Sequence, residues 1–215
     1  MSDERGLVLE QVRIALAGRE LVSISARVAR GETLTVMGPS GSGKSTLLAY
    51  LGGFLDPAFS ASGAVRVDGV DLTGLAAEQR HAGILFQDPL LFPHLSVTDN
   101  IAIAIPQAVR GRSRRRAMAE AALEDAGLSG FGGSDPDTLS GGQKARVALQ
   151  RVLLSQPRLL LLDEPFSKLD ANLRDQTRQM VFTKARDAGL PVVLVTHDEA
   201  DAQAAAGEVH RVGDP

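Results

Sequence analysis

The stretch Gly38-Pro39-Ser40-Gly41-Ser42-Gly43-Lys44-Ser45 limits what this chain can fold into more than any other part of it. It matches G-x-x-x-x-G-K-S at every position, and it stands between a β-branched apolar run, Thr33 to Met37, and a segment that reads as helix, Lys44 to Leu51. Strand, glycine turn and helix in that order make a phosphate-binding loop. The glycines let the backbone curl so that successive N–H groups point inward, and the helix N-terminus adds partial positive charge. In such a loop Lys44 reaches the β and γ phosphates of a nucleotide, Ser45 sets its hydroxyl on Mg²⁺, and Thr46 adds a phosphate contact.

Three further short apolar runs end at polar residues: Ile84 to Phe86 before Gln87, Leu159 to Leu162 before Asp163, and Val192 to Val195 before Thr196 and His197. Continuous apolar strands with little alternation suit a parallel sheet covered on both faces, and ligands bind such sheets at the carboxyl ends of the strands. The polar residues fall there. Four leucines deliver Asp163 and Glu164 together; Mg²⁺ takes few protein ligands, so Asp163 is the metal-side carboxylate and Glu164 is left to orient or deprotonate a water.

Between Gln87 and Ser140 the pattern changes. Pro89, Pro93 and Pro106 interrupt the chain, and Arg114 to Ala126 reads as an Ala-rich helix, so this stretch is expected to be a mostly helical insert. Its Arg110 to Arg116 cluster reads as a solvated helix start, with lipid headgroups or an acidic partner as the other reading. Ser140 is an N-cap candidate with Gln143 three residues on, the spacing of a capping box that opens a helix from Lys144 to Leu154.

With 215 residues, 44% of them hydrophobic, the chain can bury a substantial interior. It has no cysteine, which excludes disulfides and thiolate metal sites, and a net charge of -3 gives no general attraction to nucleic acid. No run approaches the roughly 20 apolar residues needed to span a bilayer, and Met1 to Glu10 lacks the apolar core of a signal peptide.

Taken in order, these motifs resemble the ATP-binding subunits of ABC transporters, over residues 7 to 212. Leu139-Ser-Gly-Gly-Gln143 looks like the family signature, Gln87 its Q-loop, Asp163-Glu164 its Walker B end, Ser167-Lys-Leu-Asp170 its D-loop and His197 its switch histidine. The resemblance implies an α/β fold: a P-loop NTPase (RecA-like) core with a parallel sheet over 1–86 and 154–215, an antiparallel β portion from about Leu7 to Arg30 and Val65 to Asp68, and a helical subdomain over 87–153.

It implies ATP and Mg²⁺ as ligands, with Ser45, Gln87 and Asp163 on the metal side and Glu164 and His197 in catalysis. Ser140, Gly141, Gly142 and Gln143 would meet the nucleotide held by the loop of a second copy, with Asp170 coupling the two sites. The implied partners are that second copy in an ATP-sandwich homodimer, a membrane permease with a periplasmic or extracellular substrate-binding protein, and no nucleic acid. The implied location is the cytoplasmic face of the membrane, reached through the permease.

The stretch from Gln87 to Ile101 resembles the importer segment that receives a coupling helix, with Leu90, Leu91 and Phe92 either lining that groove or packing inward. It points to small importer ATPases of the thiamine, iron, sulfate and polyamine type; an exporter or lipid-extracting ATPase is the alternative, and a repair or translation ATPase a more distant one.

Three departures stand out. Lys168 replaces the family's alanine in the D-loop, altering the dimer interface or adding a surface charge. The chain stops at Pro215, so the closing strands look short and a C-terminal regulatory domain is expected to be missing. Finally, the family stacks adenine on an aromatic upstream of the phosphate loop, but Met1 to Ala49 contains no Phe, Tyr, Trp or His. Family spacing puts Leu16 at that place. The base platform is therefore expected to be missing or aliphatic, ATP binding weak and GTP tolerated.

Overall fold

A computed structural model describes residues 5–213 of the chain. Two sheets carry the fold. The first is antiparallel, in the order β2-β1-β4-β5, from β1 (Leu7–Leu16), β2 (Arg19–Val28), β4 (Phe59–Val67) and β5 (Val70–Asp71).

β1 shows how its sequence encodes a core face. Leu7 and Leu9 are buried, and so are Val12 and Ile14, although the two pairs fall in opposite phases of a strict alternation. The register slips between Leu9 and Val12, and Gln11 sits at φ 47 in that slip. One extra residue flips the side chains that follow to the other face, so both pairs reach the core.

The second sheet has the order β6-β7-β8-β3-β9, built from β3 (Thr33–Met37), β6 (Ala82–Leu85), β7 (Leu159–Asp163), β8 (Val192–Thr196) and β9 (Glu208–Arg211). β8 runs parallel to β7 and to β3, and β9 parallel to β3. Every residue of β3 and β8 is buried, as the unalternating apolar runs imply. The helices are α1 (Lys44–Gly52), α2 (Ala77–Arg80), α3 (Val97–Ala102), α4 (Arg112–Asp125), α5 (Gly141–Leu154), α6 (Ala171–Asp187) and α7 (Glu199–Ala205). Among the described residues no helix is long and apolar enough to cross a membrane.

β4 begins at Phe59, ahead of the expected start at Val65. Its first half, Phe-Ser-Ala-Ser-Gly, is largely exposed and offers no alternation to read, yet it pairs residue by residue with the end of β1.

The chain groups into two compact units. One runs to Ile84, resumes over Arg158–Glu164 and again from Arg178; the other comprises Leu85–Pro157 and Pro165–Thr177. The first has a core of both sheets and α1, with Leu34, Val36, Leu47, Leu51, Leu161 and Val193 fully buried. The second has its own core around Val97, Ile101, Leu123, Leu128 and Val147, from α3, α4 and α5. Residues 165–177, which the sequence reading put with the nucleotide-binding core, group with the helical unit. Within that unit Leu173 of α6 fills the space a side chain at Gly142 would need.

Candidate nucleotide site

The loop between β3 and α1 is shaped by its glycines. Gly43 stands at φ 89, and a Cβ there would come within 2.7 Å of the Val22 side chain, so the position requires glycine twice over. Lys44 is buried, and its ammonium donates to the carbonyls of Gly38 and Pro39 at 2.8 Å each. An ammonium has three N–H donors, so one is left for an anion. The Ser42 hydroxyl is buried inside the same loop with no protein partner. A phosphate oxygen would satisfy it, and the loop's chemistry fits a polyphosphate.

The ends of β7 and β8 add the reactive groups. Ser45 at the head of α1 donates to Asp163 Oδ1 at 3.1 Å. Burial raises the Asp163 carboxyl above its ordinary range; the Ser45 hydrogen bond opposes this, the neighbouring Glu164 adds to it and Lys44 opposes it. One hydroxyl and one partly buried carboxylate are hard oxygen donors, and among the described residues no cluster of three or more His, Cys, Asp or Glu is assembled. That set fits Mg²⁺ held jointly with phosphate oxygens and water. Bound there, the ion would supply positive charge against the phosphates.

Glu164 follows directly, at φ 45, a left-handed conformation uncommon for a residue other than glycine. Its N–H donates to the Val195 carbonyl at 2.9 Å, and its Oε2 lies 3.2 Å from His197 Nδ1. A carboxylate and an imidazole at this distance can hold and pass a proton.

A buried network fixes the backbone that presents His197. Arg178 is hydrogen-bonded to Asp201 and, at 2.9 Å, to Asp198. Thr196 Oγ1 donates to Asp201 Oδ2 at 2.6 Å and accepts from the Asp198 N–H at 3.1 Å. Sequence reasoning missed this network. Arg178 and Asp201 carry no motif, and only the Asp198 N-cap of α7 had a local signal.

A cleft of about 380 Å³ is lined by part of the phosphate loop, Ser40, Gly41 and Gly43 to Thr46, together with Glu164, Leu16, Leu21 and Phe59. Leu16 lines this cleft, and so does one aromatic side chain, Phe59. Phe59 comes from β4, downstream of the loop, outside the upstream stretch in which a platform was sought.

The remaining candidates belong to the helical unit. Ser140 caps α5 as its capping box implies: its Oγ accepts from the Gln143 N–H at 3.3 Å, and Gln143 Oε1 accepts from the Ser140 N–H at 2.8 Å. Gly141 starts that helix, and Asp170 takes the Leu173 N–H at 3.1 Å ahead of α6. Gln87 is exposed just after β6.

Downstream of Gln87 the two readings divide between residues. Leu90 and Phe92 are 57% and 41% exposed, whereas Leu91 packs against the helical core. Arg151 donates to the carbonyls of Leu90 at 2.8 Å and Pro89 at 3.0 Å, and its guanidinium lies 5.5 Å over the Phe92 ring. Lys168 pairs with Asp88 at 2.5 Å, and both side chains are more than half exposed. In the arginine cluster Arg115 departs from a solvated helix start, donating to the carbonyls of Ala102 and Pro106 at 2.9 and 3.1 Å.

The ABC transporter family model matches residues 21–167. The uncharacterised ABC transporter ATP-binding protein YnjD of Escherichia coli is 50% identical over 186 residues, 86% of this chain and 85% of that protein. The thiamine import ATP-binding protein ThiQ of Cereibacter sphaeroides is 43% identical over 88% of this chain and 80% of its own length. The spermidine/putrescine import ATP-binding protein PotA of Pseudomonas aeruginosa is 44% identical over 88% of this chain, which spans about half, 51%, of that relative. Among solved structures, the ATP-binding cassette MJ0796, in a dimeric post-hydrolysis state bound to ADP and Pi, matches with a TM-score of 0.77 at 30% identity, over 96% of this chain and 94% of that one.

Proposed function

The chain belongs to the ABC transporter family as an ATP-binding, ATP-hydrolysing subunit, and from that premise we propose that it powers import through a separate permease as one half of an ATP-sandwiching homodimer. The observation that carries the catalytic part is the Glu164–His197 approach of 3.2 Å beside the Ser45–Asp163 pair. In this reading Lys44 and the backbone N–H groups of the loop would hold the triphosphate, Ser45 and Asp163 would face Mg²⁺, Glu164 would take a proton from the attacking water, and His197 would orient Glu164 and the γ-phosphate.

The other half of each site is Ser140, Gly141, Gly142 and Gln143 of the second copy. Their place at the N-terminus of a fourteen-residue helix supports this, because its partial positive charge suits a γ-phosphate. Asp170 then links the two sites. The import direction rests on the names of ThiQ and PotA and on the exposed Leu90 and Phe92, to which we assign the permease contact. In that assembly the subunit sits on the cytoplasmic face of the membrane, and a substrate-binding protein serves the permease from outside.

Mixing two inactive variants tests the composite site. Lys44→Ala and Ser140→Arg chains should each lack ATPase activity as homodimers, whereas their mixture forms dimers with one intact site and regains part of it. Appreciable activity in either homodimer, or none in a mixture shown to form heterodimers, contradicts the shared site.

A further inference from the structure

The cleft at the phosphate loop is lined by two chemically distinct sets of residues. The loop residues and Glu164 are polar; Leu16, Leu21 and Phe59 present only carbon, and Phe59 is the only ring among the lining residues. A nucleotide held by its phosphates has one large flat apolar part, the base, and the carbon side chains of Leu16, Leu21 and Phe59 are the part of the lining that suits it. Leu16 and Phe59 are directly paired across the antiparallel ladder of β1 and β4, which puts their side chains on one face about 5 Å apart at Cβ. Leu16 is 40% exposed, and Phe59 is half-buried with part of its body packed on the first unit's core. The ring is thus held in place from behind while contributing to the cleft wall.

We propose that Phe59, with Leu16 beside it, is the base platform of this subunit, and that it takes purine nucleoside triphosphates with little distinction between adenine and guanine. The inference rests on reading the loop as a triphosphate site. Weak selectivity follows from the same lining. Discrimination between bases that differ in their hydrogen-bonding edges needs polar groups that would be left unpaired by the wrong base, and none of the Leu16, Leu21 and Phe59 side chains offers one. Every purine has a π-face for Phe59, so stacking contributes affinity without reading identity.

Calorimetric titration with the magnesium complexes of ATP, GTP and inorganic tripolyphosphate tests the assignment. Phe59→Leu keeps apolar volume against the core and removes the ring; it should weaken ATP and GTP by a similar factor, about tenfold, and leave tripolyphosphate unchanged. Leu16→Tyr should add little to the wild type but restore most of the loss in the Phe59→Leu background, because it returns a ring to the paired position. Unchanged ATP binding by a folded Phe59→Leu variant overturns the proposal, as does an equal loss for tripolyphosphate, which would mean that Phe59 acts through the shape of the loop. ATP binding by the wild type a hundredfold tighter than GTP overturns the purine-tolerant part. Wild type that binds neither ATP nor tripolyphosphate sinks the phosphate-site reading beneath it, an outcome distinct from the others.

Discussion

The turn from Gly38 to Gly43 is shaped by its own glycines and closed by Lys44, whereas the turn from Pro89 to Ser96 is held by side chains from two helices, Asn100 on α3 and Arg151 on α5. Asn100 is fully buried; it takes the Phe92 N–H at 2.8 Å and donates to the carbonyls of Phe92, Leu95 and Ser96. The difference follows from what each turn presents. A loop that binds phosphate through backbone N–H groups cannot have them consumed by neighbouring side chains, so glycine conformations must shape it. The second turn can give up its backbone groups to Asn100 and Arg151, and what it presents is the apolar surface of Leu90 and Phe92.

If that contrast holds, single groups near the phosphate loop carry the largest effects. Glu164→Gln should cut kcat by at least about 100-fold, the range of a general base, while nucleotide still binds. ATP then accumulates in a dimer visible by size exclusion. Near-normal turnover with only monomer present would break the catalytic side of the comparison.

Asp163 sharpens it through pH. Its folded-state value lies above the ordinary 3.8 because of burial. In the interval between the unfolded and folded values the folded chain binds more protons than the unfolded one, so this carboxyl makes stability fall as pH rises from about 3.8 through its raised value. Nucleotide-free wild type should therefore lose Tm relative to Asp163→Asn over that interval, with Mg-ATP opposing the loss. The opposite slope would mean that burial does not govern the group.

Effects at the side-chain-held turn should be smaller and of another kind. Arg151→Ala removes two hydrogen bonds from a cation to carbonyls and a ring contact, and a loss of about 2 kcal/mol in unfolding free energy is expected, with the isolated subunit's ATPase largely kept. Phe92→Asp should keep folding and ATPase yet lose co-purification with the permease and transport; unaltered transport would sink the docking assignment. The smallest effect is expected at Lys168→Ala. Its ion pair with Asp88 is short but exposed, and solvent screening holds such pairs to about 0–1 kcal/mol, measurable as a slight drop in urea midpoint.

Much of the first turn was legible in the sequence because its requirements are local. Glycine spacing, the leucine run before Asp163, and Ser140 with Gln143 each encode their geometry within a few residues. Phe59 was not legible, because the strand that carries it begins with exposed small residues and is defined only by pairing with β1. Arg151 and Arg178 were opaque for a related reason. The carbonyls and carboxylates they satisfy come together through tertiary packing, and a long cationic side chain in a helix looks the same in sequence whether it is buried or in water.

The left-handed backbone of Glu164 sets stability against activity at one residue. Asparagine occupies that region of φ/ψ more readily than glutamate, and glycine without steric penalty, so either replacement should relax the main chain where β7 ends. Both would also remove the carboxylate that faces His197. Selection for thermal resistance alone would accept such substitutions, and selection for turnover would reject them, so a stabilised library of this chain should accumulate inactive members at position 164.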